Sequence, residues 1–303
     1  MKKKITSLCF WTILIAFTIY FALDTFVIEK TYSSSGMTIN TAMFETQEDA
    51  AEESTETSSS IVSNDEPENA AEDISITLDT YRVSDTTVYV ADITLSSVQY
   101  LKTAFANDSY GRNITEKTST IAKANDAILA INGDFYGAQE SGYVIRNGIA
   151  YRDRANSKDV LCIYTDGSMA IIDASEKSVE ELIEDGVWQA FCFGPALIED
   201  SEISVSVNTE VGKAMASNPR TAIGIIDNNH FVFVVSDGRT NESEGLSLYE
   251  LAEFMQSLGV TTAYNLDGGG SSTMYYNGEV VNNPTSNGRT ISEREVSDIV
   301  YIG

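Results

Sequence analysis

Asp134, Arg220 and Asp267 each stand at the end of an apolar, strand-like run, and an acid, a base and a phosphate clamp are the chemistry such a set can do. Asn132-Gly133-Asp134-Phe135-Tyr136 follows the run Ala127 to Ile131, and Asn218-Pro219-Arg220-Thr221 precedes Ala222 to Ile226. The run Thr261 to Leu266 leads into Asp267, and Ser236-Asp237-Gly238-Arg239 closes the run Phe231 to Val235. Beyond Asp267 come Gly268, Gly269 and Gly270, then the hydroxyls of Ser271, Ser272 and Thr273. Glycine reaches positive φ cheaply and carries no side chain to keep a ligand away, so such a loop can turn backbone N–H groups on an anion. The ends of sheet strands are where open α/β folds keep ligands. Each residue also has a structural reading: Asp134 as a turn closer, Asp237-Gly238 as a hairpin tip, Arg220 as a surface ion-pair partner. Phe135, Tyr136 and Tyr143 can stack on a sugar or fill a core.

In the order NGDFY, NPRTAIG, SDGR and LDGGGSSTM, these segments resemble the phosphodiester glycosidase family, with similarity running from about Thr80 to Gly303. Animal members of that family uncover mannose 6-phosphate by removing N-acetylglucosamine from a sugar phosphodiester, and many bacterial members are exopolysaccharide-related. The resemblance implies a hydrolase that cleaves the glycosidic bond of a sugar-1-phosphodiester in an envelope or exopolysaccharide glycan. The phosphate monoester is a good leaving group, so charge neutralisation matters more than strong acid assistance. Asp134 and Asp267 are then the expected catalytic carboxylates and Arg220 the clamp. Asn132, Asp237, Arg239, Gly268, Gly269, Gly270, Ser271, Ser272 and Thr273 are the expected substrate contacts, with Asn265 as a further hydroxyl partner. Two other readings stay open: a non-catalytic module holding phosphorylated polysaccharide, and a serine-based esterase or transferase using Ser271 or Ser272.

Other chemistries lack their residues. The chain has one histidine, His230, at the start of an apolar strand, and no G-x-S-x-G elbow, so His230 reads as structural. One histidine and three scattered cysteines give no zinc cluster. Cys162 and Cys192 lie in strand-like runs and read equally as a disulfide or as small buried hydrophobes. No cofactor is required. Asp134, Asp237 and Asp267 are hard oxygen ligands, and calcium is the metal they would take. A net charge of -26 excludes nucleic acid as a partner, since a duplex-binding surface needs clustered Lys and Arg.

The elements that must position these residues begin after residue 73. Met1-Lys2-Lys3-Lys4 and the apolar stretch Ile5 to Leu23 read as a single-pass membrane anchor over 1–30, or a secretory signal if cleaved, with the domain outside the cytoplasm. Residues 31–73 hold acidic residues, Ser, Thr and Ala with no Lys or Arg, the composition of a disordered linker. Over 74–303 short apolar runs alternate with Asn147-Gly148, Asp166-Gly167, Asn228-Asn229 and Asn277-Gly278, each placed to join antiparallel strands through a type I′ turn. Helices are expected over Ser119 to Asn125, Ser178 to Glu184 and Leu246 to Leu258, the last with the capping pair Ser247 and Glu250 and a stop at Gly259. The fold class is α+β: mixed, largely antiparallel sheets with a few packed helices, one domain behind an anchor and stalk.

Overall fold

Apolar runs separated by asparagine and glycine turns fold into sheets whose strand ends gather the polar segments. The computed structural model describes residues 2–44, 73–156, 159–210 and 217–303. A seven-stranded sheet runs in the spatial order Glu202–Ile203, Ala196–Glu199, Thr262–Asn265, Arg220–Asp227, His230–Ser236, Thr86–Leu95, Ile74–Val83. A second sheet of five orders Met169–Asp173, Asp159–Tyr164, Val187–Phe191, Val144–Arg146, Ile149–Arg152. A third orders Glu279–Val280, Met274–Tyr276, Leu129–Asn132, Asp298–Ile302, Leu101–Phe105.

Every strand pairing among the described residues is antiparallel, so the mixed sheets expected from sequence narrow to antiparallel ones. Parallel neighbours need a crossover connection, usually a helix. The helix Leu248–Ser257 makes one such crossover, from His230–Ser236 to Thr262–Asn265, but Arg220–Asp227 lies between those two strands and pairs antiparallel with both. Asn147-Gly148 and Asn277-Gly278 have positive φ at both residues, as a type I′ turn requires. At Asp166-Gly167 only the glycine does: Gly167 N–H bonds Tyr164 O and Tyr164 N–H bonds Ser168 O, a type I turn closed by a glycine bulge.

The central core draws on all three sheets, with Phe231, Phe233, Ile223 and Tyr264 from the first, Leu161, Ile163 and Phe191 from the second, and Leu129, Ile131 and Val300 from the third. The first sheet is buried on its other face too, under Leu248, Leu251, Ala252 and Met255, which explains why its middle strands read as unbroken apolar runs. That helix is capped as expected: Ser247 accepts from Glu250 N–H while the Glu250 carboxylate accepts from Ser247 N–H, and Gly259 follows at φ 84°. Helices Thr118–Ala124 and Val179–Glu184 cover the third and second sheets. Cys162 and Cys192 are buried and not joined in a disulfide, and burial pushes the Cys162 thiol up to about 12.

The start of the expected linker is structured. Lys2–Phe26 is an α-helix, and among the described residues no helix is long and apolar enough to cross a membrane. Residues 31–44, expected as the start of the linker, instead lie with Lys30 as a strap on the domain. Lys30–Thr31 pairs with Gly111–Arg112, Ser35 and Ile39 bond Ala150 and Gly148, and Phe44 meets Trp188 edge-on at 5.4 Å. Tyr32, Ile39 and Phe44 supply the apolar surface that composition averaged over 31–73 conceals. Residues 45–72 of the expected linker lie outside the described residues.

Candidate active site

Antiparallel register brings the polar segments to one end of the large sheet. Ala222 pairs with Asn265 and Arg220 pairs with Ser236, so Arg220, Asp267 and the 236–239 segment emerge at the same level. From Asn265 the chain leaves the large sheet and enters the third at Met274. The Asp267 loop is therefore the bridge between two sheets, and the side chain of Asn132 fixes it, donating to Asp267 O at 2.6 Å and accepting from Thr221 Oγ1 at 2.8 Å and Thr273 N–H at 3.2 Å.

The loop is squeezed, which accounts for its glycines. A Cβ on Gly268 would meet Pro219 O at 2.9 Å, and one on Gly270 would meet Ser286 Oγ at 2.2 Å. Gly269 has φ 63° and lies 2.8 Å, by the same measure, from the Arg239 guanidinium. Its N–H is spent on Pro219 O, and those of Ser271 and Ser272 on Gly268 O and Gly269 O. These three backbone donors are therefore engaged by carbonyls, and guanidinium groups line the cavity beside the loop.

Three arginines and one aspartate line a cavity of about 520 Å³. Arg220 is buried at the head of its strand; its Nε donates to Leu246 O at 2.8 Å. Burial, with a contribution from neighbouring Arg239, pulls its pKa down to about 10 against the pull of Glu210. Arg239 donates from Nε and Nη2 to Asn218 Oδ1 (3.2 and 2.9 Å) and from Nη1 to Ser286 O (2.7 Å). Burial and then the charge of Arg294 lower it too. Arg294 reaches Asp267 Oδ2 at 3.0 Å and Ser271 Oγ at 2.6 Å, and its side chain stays 42% exposed. Burial raises Asp267 above the usual carboxylate range, opposed by Arg294 and Ser271. Phe135 and Phe193 supply apolar wall, and Asn265 a side-chain amide whose Nδ2 donates to Gly194 O.

The other expected residues stand elsewhere. Asp134 does not line this cavity: Oδ1 accepts from Arg146 Nη2 (2.8 Å) and Tyr136 N–H (3.2 Å), and Oδ2 accepts from Cys192 N–H (2.8 Å). Arg146 also meets Asp298 at 2.9 Å, making a wholly buried group of one guanidinium between two carboxylates. Asp237 is buried beneath Asn283, whose N–H and Nδ2 donate to it at 2.8 and 2.9 Å. Ser272 and Thr273 are buried, and Ser271 Oγ accepts from Arg294 Nε at 2.9 Å while its hydroxyl faces the Asp267 carboxylate. His230 sits on Asp92 at 2.8 Å, so neither serine has an imidazole at hand. Among the described residues no group of three or more His, Cys, Asp or Glu side chains could hold a metal ion; the three aspartates named for calcium are tied to separate partners. Arg294 was not singled out from the sequence. Glu293-Arg294-Glu295 reads as a solvated charge run, and the only signal was an arginine standing where an acidic chain approaches its last strand.

The sequence profile of the phosphodiester glycosidases matches residues 125–303, a span that holds every residue lining the cavity. The chain belongs to the phosphodiester glycosidase family. Within that family its domain is 30% identical over 181 residues to human N-acetylglucosamine-1-phosphodiester alpha-N-acetylglucosaminidase, covering 54% of this chain and 35% of the human protein. It is 28% identical over 180 residues to the SPbeta prophage-derived protein YomE of Bacillus subtilis, covering 57% of this chain and 28% of that one. The chain thus spans about a third of the curated relatives it matches. The catalytic domain of the zebrafish N-acetylglucosaminidase has the same fold, with TM-score 0.60 at 19% identity over 76% of this chain and 82% of that one. A Synechocystis protein superposes with TM-score 0.57 at 16% identity, over 77% of this chain and 62% of that one. The two strands Ile74–Val83 and Thr86–Leu95 precede the matched span yet complete the large sheet, so the folded unit of this phosphodiester glycosidase domain starts before residue 125.

Proposed function

We propose that this domain is a hydrolase that cleaves the glycosidic bond of a sugar-1-phosphodiester in an envelope or exopolysaccharide glycan. The observation that carries the reading is the local inversion of charge: a chain of net charge -26 gathers three guanidinium groups around one carboxylate in a single cavity. Arg239 and Arg294 each disfavour the charge of a neighbouring arginine, and a bound phosphate would relieve that repulsion. Names within the family point the same way, since the human relative acts on an N-acetylglucosamine-1-phosphodiester.

One carboxylate is enough for this reaction. The C1–O bond breaks with its electron pair leaving on the phosphate monoester, whose charge the arginines hold, so no strong acid is needed at the leaving oxygen. Water attacks C1 and gives its proton to Asp267, whose raised pKa brings it closer to the operating range of a general base. Arg294, bonded to the same carboxylate, keeps it oriented.

The domain works outside the cytoplasm on a membrane tether in this proposal. In support, the helix Lys2–Phe26 exposes Phe10, Trp11, Ile13, Phe17 and Phe21 rather than burying them, behind three lysines. The test is the full chain incubated with an N-acetylglucosamine-1-phosphodiester, following release of the free sugar. Release that disappears in Asp267→Asn supports the proposal; tight binding with no release in the unaltered chain would make the domain a glycan-binding module instead.

A further inference from the structure

We propose that a cleft beside the N-terminal strap is a second sugar subsite, which seats an anionic hexose unit of the same glycan one loop away from the arginine cavity. Its attribution to the same glycan rests on the proposed function; the subsite itself rests on its own walls. The cleft measures about 390 Å³, within the range of roughly 300–1,000 Å³ usual for small-molecule sites. Tyr32 of the strap, Tyr110, Tyr136 and Tyr151 line it. Tyr110 stacks on Tyr136 with centroids 5.2 Å apart and planes at 20°, Tyr151 lies 5.0 Å from Tyr110, and Tyr32 lies 6.1 Å from it. A core would bury all four rings. Here Tyr32 is 52% exposed, so an aromatic face remains open at the rim, the feature that takes the C–H face of a sugar while its hydroxyls reach polar tips.

The charged side chains of the cleft are Arg112, Arg152 and Arg154 against Glu140 and Asp153, a lining with a surplus of one cation. Arg152 is committed to the wall, donating to Gly142 O, Tyr136 O and Gln139 O, and Arg112 is paired with Glu140 at 2.7 Å. Arg154 is exposed at the rim, where among the described residues its guanidinium makes only a long 3.4 Å approach to Glu140 O, which leaves most of its fork to meet a phosphate or carboxylate. The two cavities share a wall. Phe135 faces the arginine cavity and Tyr136 faces the cleft, because Phe135 takes the left-handed backbone, φ 64°, and sends successive side chains to opposite sides. A glycan lying across residues 135–139 therefore touches both.

Calorimetric titration of the full chain with mannose 6-phosphate, glucuronate and glucose tests this without any turnover. Two classes of site are expected for mannose 6-phosphate. Arg220→Gln with Arg294→Gln should remove one class, and adding Tyr32→Ala with Arg154→Ala, both exposed, should weaken the survivor at least tenfold while leaving circular dichroism unchanged. Stronger binding of mannose 6-phosphate than of glucuronate at the survivor identifies phosphate as the anion, the reverse a uronic acid. A single class of site in the unaltered chain, a survivor indifferent to Tyr32→Ala and Arg154→Ala, or glucose bound as well as either anion would overturn the proposal. Two-site binding by a chain that releases no sugar from a sugar-1-phosphodiester would sink the hydrolase reading and leave the subsite standing.

Discussion

Two clusters of charge sit on either side of the Gly133 to Phe135 turn, and they are opposites. The cavity holds three arginines to one aspartate and opens to solvent through Arg294. The network behind it holds two aspartates to one arginine, Asp134 and Asp298 around Arg146, all of them sealed. Surplus cation in an accessible place is capacity to bind an anion. Surplus anion in a sealed place has no partner to wait for; it joins elements, here the third sheet through Asp134 and Asp298 to the second through Arg146 and Cys192. Asp134 holds the turn that carries Phe135 to the cavity wall, accepting from Tyr136 N–H.

The sharpest way to break this contrast is to neutralise one carboxylate on each side. Asp267→Asn should lower turnover of a sugar-1-phosphodiester on the order of 10²–10⁴-fold, the usual worth of a positioned acid or base, with the thermal midpoint little changed. Loss of stability without loss of rate would exchange the roles of the two clusters. Arg146→Met comes next. It leaves two buried carboxylates without their cation and should cost about 3–5 kcal/mol by urea unfolding, while mannose 6-phosphate still binds the fraction that remains folded.

How far the sequence reaches can be read off the same two clusters. The strand ends at Asp267, Arg220 and Arg239 were legible because an apolar run and the polar residue closing it are neighbours in the chain, and antiparallel register does the rest. The capping pair Ser247 and Glu250 was legible for the same local reason. Asp134 looked equivalent to Asp267 because its two defining partners, Arg146 and Asp298, are distant: the second lies far along the chain, and neither carries a local sign of pairing with it. Arg294 was hidden among glutamates, and the glycine loop gave its length but not the direction of its N–H groups. The strap was masked by averaging, since a few apolar residues in an acidic, Ser-rich stretch say nothing until the surface they cover is known.

A third effect, smaller at any one pH because it is spread over about three pH units, belongs to the sealed cluster alone. Burial first, and the charge of Asp134 with it, hold Asp298 up to about 7 against the pull of Arg146. Unfolded, the same carboxyl releases its proton near the ordinary value of 3.8. Between those values the folded state binds more protons than the unfolded one. The stability from this group is therefore full at low pH and is lost as pH rises from about 4 through about 7, by at most about 1.4 kcal/mol per pH unit. Urea midpoints of the unaltered chain and Asp298→Asn should diverge across that window and run parallel above it; parallel curves throughout would show that Arg146 keeps Asp298 ionised.

The smallest effect separates an oriented arginine from a nucleophile. Ser271 Oγ accepts from Arg294 Nε at 2.9 Å and from Nη2 at 2.6 Å, so Ser271→Ala frees the guanidinium to swing while its bond to Asp267 remains. A hydrogen bond to a charged group contributes about 1.5–3 kcal/mol, and the bond kept to Asp267 retains part of that orientation. kcat/KM should therefore fall by about tenfold, and Arg294→Lys with Ser271 intact should also lower it, because an ammonium cannot span both Ser271 and Asp267 as the planar fork does. A collapse to background in Ser271→Ala, with Asp267→Asn still active, would place the bond-forming oxygen on the serine and turn the cavity from a hydrolase of glycosyl phosphates into a site of acyl or phosphoryl transfer.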